Sequence, residues 1–235
     1  MKQNILRFCI SILLIAVSFS ANAQEENTPK DSIKLNDKYG LRIGADISRP
    51  IISLFNDDLR GFELVGDFRM SKNLYIATEL GFYERTSEED YINFKSKGSY
   101  IKLGVNYNLY RNWGKMSNEI FAGIRYGFST FSQMLNTYNP NFDGTYFPEL
   151  TVDSNTEFSD LNAHWAELVL GLKVEVFHNL YLGTSMSLKK MIRQKQPINF
   201  ENLYIPGFER VYLNETGFSF NYTVSYLIPI YKKGE

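Results

Sequence analysis

The sequence predicts an all-β fold: an eight-stranded antiparallel up-and-down transmembrane β-barrel behind a cleaved signal peptide. Three observations carry the prediction. Between Tyr39 and Tyr231, eight stretches alternate apolar and polar residues with a period of two, the signature of strands with one face in an apolar phase. The connections between them run long, short, long, short, as in barrels with short periplasmic turns and long outer loops. An export signal precedes them.

That signal has a basic head (Lys2, Arg7), an apolar run from Phe8 to Phe19 and the small-residue site Ala21-Asn22-Ala23. A run this short, ending this way, reads as a cleaved peptide over residues 1–23. The lone cysteine, Cys9, departs with it, so neither a disulfide nor a lipid anchor is expected. Of 25 Lys/Arg the signal takes two and none of the 26 Asp/Glu, leaving 23 against 26, a net charge of −3. No basic excess points to nucleic acid. No later segment is long and apolar enough to be a spanning helix, so crossing a membrane requires a closed barrel. Residues 24–38 form a polar periplasmic leader, and 39–231 the barrel.

Strands are predicted near 39–50, 60–70, 73–84, 99–110, 119–131, 163–177, 179–190 and 216–231. In the first, Leu41, Ile43, Ala45 and Ile47 oppose Arg42, Gly44, Asp46 and Ser48. In the fourth, Ile101, Leu103 and Val105 oppose Lys102, Gly104 and Asn106. Most stretches are long enough to cross a bilayer at a tilt, which takes about 9–11 residues.

Periodicity alone also fits a soluble lipocalin-like carrier, whose apolar face turns inward. Composition favours the membrane orientation. Gly44, Gly81, Gly104, Gly123, Gly127, Gly171 and Gly183 fall on the polar face and only Gly66 on the apolar one. An eight-stranded interior is just wide enough to be filled by side chains, so small residues belong there. The polar face also carries Arg42, Arg69, Lys102, Arg125, Lys173 and Lys189 against Asp46, Glu63, Asp67, Glu79, Glu167 and Glu175. Equal numbers fit an interior ion-pair network, since buried charges must be paired. Two aromatic girdles complete the pattern: Phe62, Phe82, Tyr100, Phe128, Trp165, Phe218 and Phe220 at one rim, and Tyr39, Phe68, Tyr107 and Tyr226 at the other.

Short turns are expected at Ser71-Lys72, from Arg111 to Asn118 and at His178; long loops at 51–59, 85–98, 132–162 and 191–215. With the junction Ala21-Asn22-Ala23-Gln24, the strand Tyr39-Gly40-Leu41-Arg42-Ile43-Gly44-Ala45-Asp46 and the tyrosine-rich last strand, the chain resembles small outer-membrane β-barrel proteins of Bacteroidota. These are porin-like or OmpA-like eight-stranded barrels, among them a family without assigned function. The resemblance implies a Gram-negative outer membrane, with lipid, lipopolysaccharide and the assembly machinery as partners. The chain departs from the common pattern at its end, where Lys232-Lys233-Gly234-Glu235 follow Tyr231 and Pro229 removes a ladder donor.

Chemistry is sparse. His178 falls in a turn. His164 lies on the lipid-facing register, with Ser132 as a possible cross-strand neighbour, the adjacency that an activated nucleophile needs. Lipid A deacylase barrels place a serine two residues from the histidine; here that position is Ala166. Asp143, Glu149, Asp153, Glu157 and Asp160 are too scattered for a calcium loop. No metal, cofactor or catalytic residue is therefore expected. Lys189, Lys190, Arg193 and Lys195 form a basic run suited to lipopolysaccharide phosphates. Loops 132–162 and 191–215, rich in Tyr, Phe and Asn, would either meet a protein partner or pack together as a lid over the mouth. The expected function is a non-enzymatic structural or binding barrel; a narrow porin-like channel, a lipid-modifying enzyme and a soluble carrier are the alternatives.

Overall fold

The computed structural model describes residues 37–110, 117–140, 150–198 and 200–233. The signal peptide and all but the last two leader residues lie outside them. Strands β1 (Asp37–Asp46), β2 (Leu59–Arg69), β3 (Leu74–Glu89), β4 (Ile92–Asn108), β5 (Glu119–Tyr138), β6 (Val152–Phe177) and β7 (Leu180–Gln194) pair in sequence. The small hairpin β8 (Tyr204–Ile205) and β9 (Glu209–Arg210) follows, and then β10 (Thr216–Lys233), which pairs with β7 on one side and β1 on the other. All ladders are antiparallel and the barrel is closed. Both chain ends of the wall lie at one rim, the terminal end; helix α1 (Ser48–Ser53) and the β8–β9 hairpin lie at the opposite, loop end.

The faces are those of a transmembrane barrel. Ile43, Leu64, Leu103, Ile124, Leu168 and Leu188 point outward and are 46–61 % exposed. Arg42, Glu63, Lys102, Arg125 and Glu167 are at most 3 % exposed. A water-soluble carrier would show the reverse, because exposing an apolar belt to water while burying ions has no compensating solvent term.

Two of the expected long loops are mostly strand. Pairing between β3 and β4 continues to Glu89↔Ile92, and between β5 and β6 to Tyr138↔Val152. At 16, 17, 20 and 26 residues, these four strands exceed what a bilayer requires and rise beyond the rim as a projecting sheet. Alternation weakens there because no lipid faces the outer side, while the inner side packs Phe94, Phe131 and Leu161 into the loop-end core. The expected first strand ends early: the Asp46 carboxylate accepts from the Ser48 and Arg49 backbone N–H groups and the Ser48 hydroxyl, turning the chain into α1. At the seam, a bulge between Tyr39 and Gly40 sets Gly40 opposite Pro229. The extra residue is Ile230, next to the Pro229 that cannot donate to the ladder.

Candidate functional site

The barrel interior holds two charged clusters, each centred on a buried cation. In the terminal half, Arg42 binds Asp67 through Nε and Nη2 (2.8–3.1 Å) and reaches Glu119 on β5 at 2.7 Å. Lys173 donates to the same Asp67 carboxylate, and the Arg42 guanidinium lies over the Tyr181 ring at 4.7 Å. Register explains the assembly: Arg42 faces Asp67 across β1–β2, and Glu119 faces Lys173 across β5–β6.

In the loop half, Lys102 Nζ sits 2.9 Å from Glu79 and 3.7 Å from both Glu63 and Glu167. Arg125 approaches Glu79 at 3.4 Å. Glu63 also accepts from the Tyr100 hydroxyl and, at 2.8 Å, from the Asn221 amide; Glu167 accepts from the Trp165 indole at 2.6 Å. A gap of about 40 Å³ separates the clusters, room for one to a few waters.

Of the twelve residues predicted for the network, the structure thus brings together nine: Arg42, Glu63, Asp67, Glu79, Lys102, Arg125, Glu167, Lys173 and Lys189. Lys189 joins through a 3.8 Å approach to Glu167. Asp46 instead serves the start of α1. Arg69 donates to the Ser71 and Lys72 carbonyls and lies over the Tyr39 and Tyr75 rings. Glu175 binds Lys38 at the terminal rim at 3.0 Å. Glu119 was missed, although it shares the parity of Gly123 and Arg125.

Tyr100, Trp165 and Tyr39 do not join the girdles; all three are buried. Tyr100 has the parity of Lys102, and Trp165 that of Glu167, so both turn inward; the bulge beside Tyr39 accompanies its burial. Glycines receive these rings: Gly81 faces Tyr100, Gly127 faces Trp165, and Gly171 faces Phe121 across the ladders. A Cβ at Gly127 would stand 2.1 Å from Trp165 Cε2.

The loop-end mouth is closed by the chain around β8–β9. Ile205 and Phe208 are fully buried, and Phe208 meets Trp165 edge-on at 5.8 Å between centroids. Tyr204 stacks on Tyr83 with their hydroxyls 2.7 Å apart, and its carbonyl accepts from Ser96 and Gln133. Burial, and then the nearby Glu209 carboxylate, push the Tyr204 phenol well above its ordinary range. It therefore stays protonated and able to donate. Lys189 donates to the Gly207 and Phe208 carbonyls at 2.8 and 3.2 Å, and Arg49 holds Glu209 at 2.9 Å. Arg49 lies on a helix past the end of alternation, so nothing in the pattern marked it. Of the two expected outcomes for loop 191–215, this is the lid. In loop 132–162, Phe142, Tyr146 and Phe147 lie outside the described residues.

Lys189 consequently cannot meet lipopolysaccharide: it is 3 % exposed and bound inside. Lys190, Arg193 and Lys195 remain exposed. His164 pairs with Phe128, four residues along β5 from Ser132, which pairs with Lys97. The Tyr126 hydroxyl lies 2.9 Å from His164 Nδ1, and the Phe128 ring stands 4.7 Å from the imidazole. The hydroxyl beside the imidazole is thus the Tyr126 phenol and not the expected serine. Asp143 and Glu149 lie outside the described residues; Asp153, Glu157 and Asp160 are strung along the projecting part of β6.

Residues 5–233 match the family described as "Domain of unknown function (DUF6048)". The chain belongs to that family. No curated protein matches the sequence. Among solved structures, it is similar to the crystal structure of Ail, the attachment invasion locus protein of Yersinia pestis. That likeness has a TM-score of 0.40 and 9 % identity, over 82 % of this chain and 99 % of Ail.

Proposed function

We propose that this DUF6048 chain is an integral outer-membrane barrel of a Gram-negative bacterium, exported on a cleaved signal peptide, that neither conducts nor catalyses. Its role is structural or binding, carried by what it displays beyond the loop-end rim. The observation that supports this most is the filled lumen: two ion-pair clusters crossed by glycine-seated aromatic rings, beneath a mouth closed by Ile205 and Phe208. Such an interior speaks against a solute path, since most of its charged side chains, among the described residues, are held by one another. The projecting β3–β6 sheet is the element left to meet an unidentified protein partner.

Two measurements test the reading. Purified protein in planar bilayers is expected to give no stable conductance. Replacing residues 200–211 by a short Gly/Ser linker should still give none, because the Lys102 and Arg42 clusters block the lumen below the mouth. Reproducible unitary currents from the intact protein would overturn the proposal in favour of a narrow channel. For catalysis, His164→Ala is expected to leave the mass spectrum of cellular lipid A unchanged; a lost acyl-chain or phosphate modification would make the chain an enzyme.

A further inference from the structure

The outer face carries a cationic ledge that strict alternation does not predict. On β7, Lys190 faces outward, Met191 inward into the aromatic core, and Gln194 inward, where its side-chain oxygen accepts from Asn202. Arg193 has the opposite parity to Lys190, and alternation would send it inside with Met191 and Lys189. A bulge prevents this. Ala166 pairs with Lys190, Trp165 with Met191 and His164 with Arg193, so Ile192 is the extra residue on β7. One inserted residue re-aims those after it, and Arg193 emerges exposed beside His164.

The surroundings fit a phosphate. The Arg193 side chain makes no hydrogen bond or ion pair among the described residues. Lys190 donates to the Asn214 carbonyl and stands 3.7 Å from Glu215, both side chains more than half exposed; an exposed pair of this kind contributes little and yields to a stronger anion. Lys195 donates to the Asp160 carbonyl at 3.0 Å, which leaves its charge unneutralised. The neighbouring His164 is fixed by Tyr126 and Phe128. Directly below lie Leu188, Leu168 and Phe218, joined across the ladders and exposed on the belt. Cations above such a belt, here flanking the exposed Ile192, stand where headgroups are met, and a guanidinium matches phosphate oxygens in bidentate fashion.

We infer that the bulge at Trp165/Met191 builds a binding site for the phosphate of a lipid A headgroup, held by Arg193 and Lys190, with its acyl chains on Leu188, Leu168 and Phe218. The inference rests on the outer-membrane reading and deepens it. The site is absent from the plain periodicity of the sequence and depends on the register shift.

The test is native mass spectrometry of the full-length mature barrel in detergent, with added lipid A, the same lipid A dephosphorylated, or inorganic phosphate. The wild type is expected to retain phosphorylated lipid A, and the Arg193→Glu/Lys190→Glu pair to lose about tenfold in retention, since charge-assisted contacts become repulsive. Lys97→Glu, an exposed cation on β4, should behave as wild type. Dephosphorylated lipid A should bind the wild type no better than phosphorylated lipid A binds the double variant. Each protein is first checked for heat-modifiable mobility; if charge reversal prevents folding, Arg193→Gln/Lys190→Gln reads the same loss. Equal retention by wild type and variant, or full displacement by millimolar inorganic phosphate, overturns the site. Failure of wild-type protein to insert into vesicles would instead sink the membrane reading itself.

Discussion

Lys102→Met is expected to lower the stability of the folded barrel by roughly 3–5 kcal/mol, the usual cost of removing one partner from a buried ionic cluster. The ammonium is 1 % exposed and stands within 4 Å of three carboxylates, Glu63, Glu79 and Glu167. Methionine keeps most of the volume and deletes the charge, so three acids from β2, β3 and β6 are left around one apolar side chain. Arg125 continues to serve Glu79 at 3.4 Å, whereas the other two keep only longer cationic approaches, Arg49 to Glu63 at 3.9 Å and Lys189 to Glu167 at 3.8 Å, beside the neutral donors Tyr100, Asn221 and Trp165. Urea unfolding in lipid vesicles, followed by tryptophan fluorescence, reads the effect. Adding Glu167→Gln to Lys102→Met should recover part of the loss, because the repulsive set is reduced. Additive loss in the double variant would show that the cluster is not coupled.

Gly127→Val should also destabilise the barrel, by a different route. The new Cβ would lie 2.1 Å from Trp165 Cε2 and 2.5 Å from Nε1, inside any permitted contact. The ring cannot retreat: its indole is bonded to Glu167 and its edge meets Phe208. Overpacking of this kind costs typically 1–3 kcal/mol and more where neighbours are fixed. The same substitution in a Trp165→Ala background removes the clash. A double-mutant cycle should therefore give a favourable coupling of about 1–3 kcal/mol; a coupling near zero would mean that the glycine does not serve the ring.

What the sequence made legible follows from where water and lipid lie on opposite sides of the wall. Leu41 to Ala45 and Ile101 to Val105 alternate because each strand there separates two phases, and these strands formed as expected. Beyond the rim, Ser87 to Glu89 and Asn136 to Tyr138 no longer separate lipid from an ion-filled interior, so they read as loops although their ladders continue. Charges were legible by parity, as with Arg42, Glu63 and Lys102, whereas Tyr100 and Trp165 were read as girdle residues although they share the inward parity of Lys102 and Glu167. Register shifts were not legible. The bulge that turns Arg193 outward, like the one beside Tyr39, is fixed by pairing with a distant strand. The lid shows the same limit: Tyr204 and Phe208 look like a recognition loop until Tyr83 and Trp165 are seen opposite them.

The seam between β1 and β10 has a consequence for how the wall forms. The ladders from β1 through β7 join strands adjacent in the chain, so closing each costs little entropy. The seam joins the first strand to the last, from Asp37↔Lys233 to Asp46↔Thr223, and loop-closure cost grows with the logarithm of the intervening length. It is also interrupted where Pro229 offers no N–H to Gly40. The meander is thus the cheap part of the structure and the seam the expensive one. A chain arrested just before closure would carry two open edges at once, each a template for pairing with a neighbouring molecule.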